Sequence, residues 1–136
     1  MLLLDNSAWS RRRTGPVRER FASDLRAKAL VTSLPFLLEA GFSARNGPEH
    51  RTVIEDLAVL PRIAITPSVE QLAIDAQSDL ARIGHHRLAL MDVLIAACAH
   101  EAGAGVLHYD RDYDVLREHT RLRFRSEWLA PAGSLD

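Results

Sequence analysis

The chain has 136 residues, of which 47% are hydrophobic and 26% charged, and its formal net charge is −1. This composition is that of an ordinary globular protein that can bury a core, and its balanced charge argues neither for nor against a nucleic-acid partner. The single cysteine, Cys98, excludes an intrachain disulfide and a cysteine-based zinc site. Its small apolar neighbours predict a buried place on a helix.

The chain shows no sign of membrane attachment or of division into domains. The stretch Met1–Asp5 is too short for a signal peptide and lacks a basic region, and no apolar run is long enough to span a bilayer. We therefore expect a cytoplasmic protein. We find no internal repeat or linker, which predicts one domain over residues 1–136 with a flexible tail at 130–136.

Apolar runs and helix-start residues predict strands and helices that alternate along the chain. In chain order we predict strand Leu2–Leu4, a short helix capped by Ser7, helix Pro16–Lys28, strand Ala29–Ser33, helix Leu34–Arg45, helix Pro48–Leu60, strand Arg62–Thr66, helix Pro67–Ile83, loop Gly84–Arg87, helix Ala89–Ala102, strand Gly105–Tyr109, helix Asp112–His119 and strand Leu122–Phe124. This alternation predicts an α/β fold with a central, mostly parallel β-sheet flanked by α-helices on both faces.

Four carboxylates interrupt apolar segments. Asp5 follows three leucines, and Asp110 follows the strand that ends at Tyr109. Glu39 lies within an apolar helix, and Asp92 lies near the start of another. Acidic side chains are seldom buried unless they are paired or bind a metal. Because ligands of parallel sheets bind beyond the carboxyl ends of the strands, the two strand-end acids lie where such folds place their sites.

Each acid also has an ordinary structural interpretation. Asp5 fits the N-cap of a helix. Asp92 lies near the N-terminus of a helix, where its negative charge would be stabilised by the helix dipole. Asp112 fits a cap for the helix that follows it, and Asp114 fits a solvated first-turn acid. Glu39 has no oppositely charged residue three or four positions away, so it would need a buried salt bridge to a distant arginine.

Taken together, the acids indicate a divalent cation. Like charges a few ångströms apart repel by about 1–4 kcal/mol per pair, so a carboxylate cluster takes up protons or binds a cation. An all-oxygen ligand set without cysteine favours Mg²⁺ or Mn²⁺. Such a site suits in-line attack of an activated water on a phosphodiester.

Other sites built from strand-end acids do not match. An EF-hand loop begun at Asp110 requires glycine and glutamate where Val115 and Arg121 stand. A phosphoaspartyl hydrolase requires a second aspartate at Ser7, and a receiver domain requires a lysine after a late strand, whereas Lys28 is the only lysine. A glycine-rich phosphate loop and a His-Glu-x-x-His motif are both missing from the sequence.

The residues that carry these acids resemble a known family. The motifs are Leu-Leu-Leu-Asp5-Asn-Ser7-Ala-Trp9, Glu39 in an apolar helix, Asp92-Val-Leu-Ile-Ala-Ala and Leu-His-Tyr-Asp110-Arg-Asp112-Tyr-Asp. In this order and at these separations they resemble the PIN-domain nucleases, and among them the VapC toxins of bacterial toxin–antitoxin pairs. The resemblance covers the chain from Met1 to about Trp128.

The resemblance implies specific roles for these residues. The pocket acids with catalytic roles would be Asp5, Glu39, Asp92 and Asp110, around Mg²⁺ or Mn²⁺. Direct metal ligation is expected first from Asp5 and Asp92, with Asp110 also a ligand and Asp112 acting through water. Ser7 matches a position where members carry a small hydroxyl residue near the metal. The family further implies a homodimer and a small antitoxin protein that inhibits the pocket.

The resulting hypothesis is a metal-dependent ribonuclease in which Glu39 or Asp110 takes or orients a proton during hydrolysis of RNA. The basic run Arg11, Arg12 and Arg13 is a candidate clamp for the RNA backbone, although a solvated charge run or an antitoxin contact explains it as well. Trp9 fits packing better than base stacking. The alternative functions are a catalytically inactive PIN-fold RNA-binding module and a protein-interaction module.

Overall fold

The leucines at the start of the chain form the central strand of a parallel sheet. In a computed structural model that describes residues 1–85 and 87–135, the described strands are β1 (Leu2–Leu4), β2 (Leu30–Ser33), β3 (Arg62–Ile63), β4 (Gly105–His108) and β5 (Arg125–Trp128). All neighbours pair in parallel, in the order β3-β2-β1-β4-β5. The side chains of β1, β2 and β4 are buried, as expected for strands covered on both faces.

Helices connect the strands and cover both faces of the sheet. Those in the described part of the chain are α1 (Asn6–Trp9), α2 (Gly15–Arg26), α3 (Leu34–Phe42), α4 (Gly47–Leu57), α5 (Pro67–Arg82), α6 (Leu90–Ala102) and α7 (Asp112–His119). Proline stands in the first turn of α2, α3, α4 and α5, where its missing N–H costs nothing. Gly103 ends α6 with a φ of 65°. The predicted α/β fold is confirmed.

The helices α3 and α4 each end three residues earlier than predicted. The helix predicted over Leu34–Arg45 ends at Phe42, and the helix predicted over Pro48–Leu60 ends at Leu57. The side chain of Asn46 caps α4 by accepting a hydrogen bond from the backbone N–H of Glu49 at 2.8 Å. The extended backbone that this cap requires explains why the apolar pattern before it does not continue as helix.

The cap of the first helix was assigned to the wrong residue. The side chain of Asp5, rather than that of Ser7, caps α1, because its Oδ2 accepts a hydrogen bond from the Ser7 backbone N–H at 2.9 Å. Ser7 lies inside α1 and bonds through its hydroxyl. The N-cap interpretation of Asp5 is therefore correct, and this places its carboxylate at the carboxyl end of β1.

The predicted last strand, Leu122–Phe124, is wrong. The strand is β5, which pairs with β4 from Gly105 opposite Arg125 to His108 opposite Trp128. Leu122 and Phe124 are buried core side chains in a segment without ladder pairing. Because β5 lies at the edge of the sheet and is half-exposed, its residues are mostly polar, and a search for apolar runs passes over it.

Two predicted segments include residues outside the described part of the chain. The loop at Gly84–Arg87 contains His86, and the tail at 130–136 ends at Asp136. Within the tail, the backbone N–H of Leu135 donates to the Tyr109 hydroxyl at 2.9 Å. Among the described residues, no helix has both the length and the apolarity that a bilayer span requires.

Gly105 is expected to tolerate no side chain. A Cβ at this position would lie 2.9 Å from Leu2 Cδ2 and 3.2 Å from the Arg125 carbonyl oxygen. We expect Gly105→Ala to lower the free energy of unfolding by about 1–3 kcal/mol through overpacking. Urea unfolding checks this, with Gly15→Ala as the control, because a Cβ at Gly15 meets nothing within 4 Å. Equal unfolding midpoints for the two variants would contradict the expectation.

Candidate metal centre

The four predicted pocket acids and Asp112 converge at the carboxyl edge of the sheet. Carboxylate oxygens of Asp5, Glu39 and Asp92 lie within 4.8 Å of one another, as do those of Asp92, Asp110 and Asp112. We call these five residues the acidic pocket. They come from the end of β1, the middle of α3, the first turn of α6 and the β4–α7 connection, so the fold itself assembles them.

Asp5 is the most firmly held acid of the pocket. Its side chain is 3% exposed. Its Oδ2 accepts hydrogen bonds from the Ser7 backbone N–H at 2.9 Å and from the Ser7 hydroxyl at 2.5 Å, and its Oδ1 accepts one from the Tyr113 hydroxyl at 2.6 Å. The Ser7 hydroxyl in turn accepts from the Tyr109 backbone N–H at 2.8 Å. Ser7 therefore orients Asp5, and its only proton is already committed to that carboxylate.

Asp92 lies at the centre of the pocket, where both groups of acids meet. It is 6% exposed. Burial, followed by the charges of the other pocket acids, raises the pKa of Asp92 to about 8. A helix-dipole interaction alone would lower the pKa, so repulsion and desolvation outweigh it. A carboxyl group with this pKa is largely protonated at neutral pH unless a cation replaces the proton.

The remaining pocket acids are half-buried. Burial, with the charges of Asp5 and Asp110, raises the pKa of Glu39, and burial with the charge of Asp110 raises the pKa of Asp112. Asp110 Oδ1 accepts a hydrogen bond from the Asp112 backbone N–H at 3.0 Å. The predicted capping role of Asp112 is wrong, because Asp112 is the first residue of α7 and the N-cap residue Arg111 makes no side-chain cap hydrogen bond.

Arginine and lysine do not neutralise the pocket. In the part of the chain that the structure describes, no pocket acid forms an ion pair with a basic side chain. The distant arginine partner that a structural interpretation of Glu39 requires is therefore missing from the described residues. This leaves protons or a cation as the means of offsetting the clustered charge.

A buried hydrogen-bond network holds the backbone at Asp110, next to the acidic pocket. The Nδ1 atom of His108 accepts from the Asp110 backbone N–H at 3.1 Å, so its Nε2 carries the proton and donates to the Ser126 hydroxyl at 2.7 Å. Ser126 donates to Asp114 at 2.6 Å, and Trp128 Nε1 donates to the same carboxylate at 3.0 Å. Burial lowers the pKa of His108, which agrees with this neutral tautomer.

The interpretation of Asp114 as a solvated acid is wrong. Its carboxylate is half-buried and holds β5 to α7 through Ser126 and Trp128. Burial alone would raise the pKa of Asp114, but the hydrogen bonds from these two side chains lower it. Sequence reasoning missed His108 and Tyr113 as supports of the site. For His108 the available signal was a polar side chain inside an apolar strand, whereas Tyr113 lies within α7 and has no such local signal.

The three arginines that were predicted to clamp RNA do not form one surface. The Arg11 guanidinium lies 4.7 Å from the centre of the Tyr109 ring and donates to the Ser7 carbonyl oxygen at 2.9 Å, beside the acidic pocket. Arg12 stacks 3.5 Å from the centre of the Trp9 ring, and burial lowers its pKa. Arg12 and the exposed Arg13 line a separate groove of about 490 Å³ between α1, α2 and α4.

The groove is lined by apolar side chains and by charges of both signs. Trp9 packs against Phe21 and Phe36, at ring-centre distances of 6.1 and 6.3 Å, in agreement with its predicted packing role. The basic lining residues are Arg12, Arg13 and Arg18, and the acidic ones are Glu55 and Asp56 from α4. A second, shallower cleft of about 330 Å³ adjoins Glu39 and is lined by Asn6, Leu38, Phe42, Ser43 and Met91.

The parallel sheet and the carboxylates at its carboxyl edge define an α/β domain with an acidic pocket suited to a divalent metal. The sequence profile of the PIN domain matches residues 2–118. The chain therefore belongs to the PIN domain family, and the resemblance inferred from its motifs is confirmed.

Similar proteins agree with this assignment. Ribonuclease VapC51 of Mycobacterium tuberculosis is 34% identical over 134 residues, which cover 98% of this chain and 96% of that protein. Ribonuclease VapC2 of the same species is 35% identical over 117 residues, which cover 84% and 83% of the two chains. The DNA-bound VapBC structure from Salmonella typhimurium matches with a TM-score of 0.76 and 20% identity, over 96% of this chain and 100% of that chain.

Proposed function

We propose that this protein is an endoribonuclease of the VapC type that depends on Mg²⁺ or Mn²⁺ and acts as the toxin of a toxin–antitoxin pair. The observation that carries the proposal is the convergence of five carboxylates without a basic partner among the described residues. The relatives described above that share about a third of their residues with this chain are ribonucleases by name. RNA as the substrate implies a cytoplasmic location.

The residues of the acidic pocket fit a hard divalent cation. All candidate donors are carboxylate oxygens, which favour Mg²⁺ and Mn²⁺ over zinc or copper. Asp5 and Asp92 would hold the ion directly, Asp110 would complete the set, and Asp112 would act through water. Burial and the charges of the other pocket acids raise the pKa of Asp92, and a bound cation would offset this repulsion.

A divalent ion in such a site supplies Lewis-acid polarisation of the phosphate and activation of water. The protein residues supply position and proton transfer. Ser7 and Tyr113 keep Asp5 oriented, and His108 fixes the backbone that carries Asp110. Glu39, whose pKa is raised and which adjoins an open cleft, is suited to take a proton from the attacking water or to return one to the leaving oxygen.

The proposal includes a protein partner and a second copy of the chain. Solved structures with the same fold are VapBC toxin–antitoxin complexes, some of them bound to DNA. A small cognate antitoxin is therefore the expected inhibitor, and a homodimer is the expected assembly. The basic and acidic side chains that line the groove between α1, α2 and α4 suit a peptide that carries both signs of charge. Arg11 remains the candidate contact for the RNA backbone.

Cleavage of RNA by the purified protein tests the proposed function. We expect Mn²⁺-dependent cleavage at discrete sites, which mapping of RNA 5′ ends would locate, and complete inhibition by EDTA. The Asp5→Asn protein should yield no cleavage map under the same conditions. Expression should arrest growth unless the antitoxin is expressed with it. If no RNA is cleaved and the melting temperature is the same with and without millimolar Mn²⁺, the inactive PIN-fold module is favoured instead.

A further inference from the structure

Tyr113 places a buried hydroxyl between two acids of the pocket. Its side chain is 0% exposed, and its hydroxyl oxygen lies 2.6 Å from Asp5 Oδ1 and 3.3 Å from Asp92 Oδ1. The ring is fixed by His108 and Phe124, at ring-centre distances of 4.8 and 6.4 Å. The hydroxyl therefore has little freedom to turn away from the two carboxylates.

The hydrogen bonds of Asp5 leave one defined position for a cation. A carboxylate oxygen has about two lone pairs. Both lone pairs of Oδ2 are used, by the backbone N–H and the hydroxyl of Ser7. Oδ1 accepts only from Tyr113 among the described residues, so it keeps one lone pair. The oxygen that is open to a cation is thus the one that Tyr113 holds.

The hydroxyl has no other role in the described structure. Its single proton is donated to Asp5 Oδ1 at 2.6 Å, and Asp92 Oδ1 lies 3.3 Å from the same hydroxyl oxygen. A phenylalanine ring would fill the same core space without this contact. A neutral donor also differs from a guanidinium group, because it orients a carboxylate without cancelling the negative charge that attracts a cation.

We propose that Tyr113 is a positioning residue of the metal site, whose hydroxyl fixes Asp5 and its spacing from Asp92 so that one oxygen of each faces a common point. This inference rests on the proposed function, since it requires that the acidic pocket binds a divalent cation. Removing a hydrogen bond that orients a metal ligand typically weakens metal binding by about 10- to 100-fold.

The chain provides a matched pair of variants for the test. It contains two tyrosines, Tyr109 and Tyr113. The Tyr109 hydroxyl accepts from the Leu135 backbone N–H and touches no carboxylate among the described residues. We expect Tyr113→Phe to weaken Mn²⁺ binding, measured by isothermal titration calorimetry, by about 10-fold or more. Tyr109→Phe should change the affinity less than twofold. RNA cleavage by Tyr113→Phe should recover as Mn²⁺ approaches saturation.

A second measurement does not require Tyr113→Phe to fold. In the Tyr109→Phe protein, Tyr113 is the only tyrosine, so a ¹³C label at its Cζ gives one resonance. Adding Mg²⁺ should shift this resonance, since the hydroxyl reports directly on Asp5. If the wild type binds Mn²⁺ and Tyr113→Phe binds it with equal affinity, the inference is overturned and the proposed function stands. The same holds if the Tyr113 resonance does not move under saturating Mg²⁺. A wild-type protein that binds neither ion would overturn both.

Discussion

Asp92→Asn is expected to abolish RNA cleavage and to stabilise the metal-free protein at the same time. The substitution removes a carboxylate that we propose as a metal ligand, which we expect to reduce kcat/KM by a factor of about 10³ or more. It also removes a buried carboxyl group whose pKa is raised to about 8. Since keeping that group uncharged costs free energy at neutral pH, the variant should gain about 1–4 kcal/mol of unfolding free energy in EDTA.

The measurement combines RNA cleavage assays with urea unfolding at pH 7 in EDTA. Glu70→Gln is the matched control, because Glu70 is also an acid in the first turn of a helix but lies on the surface of α5. It should leave both quantities close to those of the wild type. Loss of activity accompanied by lower stability of the metal-free Asp92→Asn protein would mean that Asp92 is a structural residue rather than a strained ligand.

The stability of the metal-free protein is expected to fall as the pH rises from 7 to 8. Asp92 has a pKa of about 8 when folded, against a usual value of 3.8. In this pH range the unfolded chain has already lost the proton and the folded chain still holds it, so raising the pH favours unfolding. The expected decrease in unfolding free energy is about 1 kcal/mol.

The choice of range separates this effect from that of His108. The pKa of His108 is lowered in the folded protein, so its contribution is lost as the pH falls below the usual value of 6.5 and is nearly constant above pH 7. Chemical unfolding in EDTA at several pH values provides the measurement. The slope should disappear in Asp92→Asn, and saturating Mn²⁺ should remove it from the wild type. A slope that is identical in wild type and Asp92→Asn would assign the pH dependence to other groups.

The positions of the pocket acids could be predicted because each one breaks a local pattern. Asp5 and Asp110 end apolar strands, and Glu39 and Asp92 interrupt apolar helices. Parallel pairing of β1 with β4 then brings the two strand-end acids to the same edge of the sheet. Local patterns and one topological rule were therefore enough to predict that Asp5 and Asp110 meet, whereas the placement of Glu39 and Asp92 beside them was implied by the family resemblance.

The supports of the site could not be predicted, because they depend on contacts between distant residues. Tyr113 reaches Asp5 across 108 positions in sequence, and nothing near either residue indicates the contact. The edge strand β5 is stabilised by Asp114 rather than by apolar side chains, so its sequence does not resemble that of a buried strand. Arg12 and Arg13 line the groove between α1, α2 and α4. Their placement could not be predicted, because this groove forms only when the three helices pack together.

The position of β1 in the middle of the sheet determines when this protein becomes complete during synthesis. β1 is made first, but its partner β4 begins about a hundred residues later, and the carboxylate of Asp110 and the hydroxyl of Tyr113 follow β4. Pairing between segments so far apart in sequence forms late, because the entropy cost of closing a long loop comes before the strand contacts stabilise it. A growing chain on the ribosome therefore carries Asp5 and Glu39 before the rest of the acidic pocket exists. The metal site that we propose can assemble only after the residues that follow β4 have emerged from the ribosome.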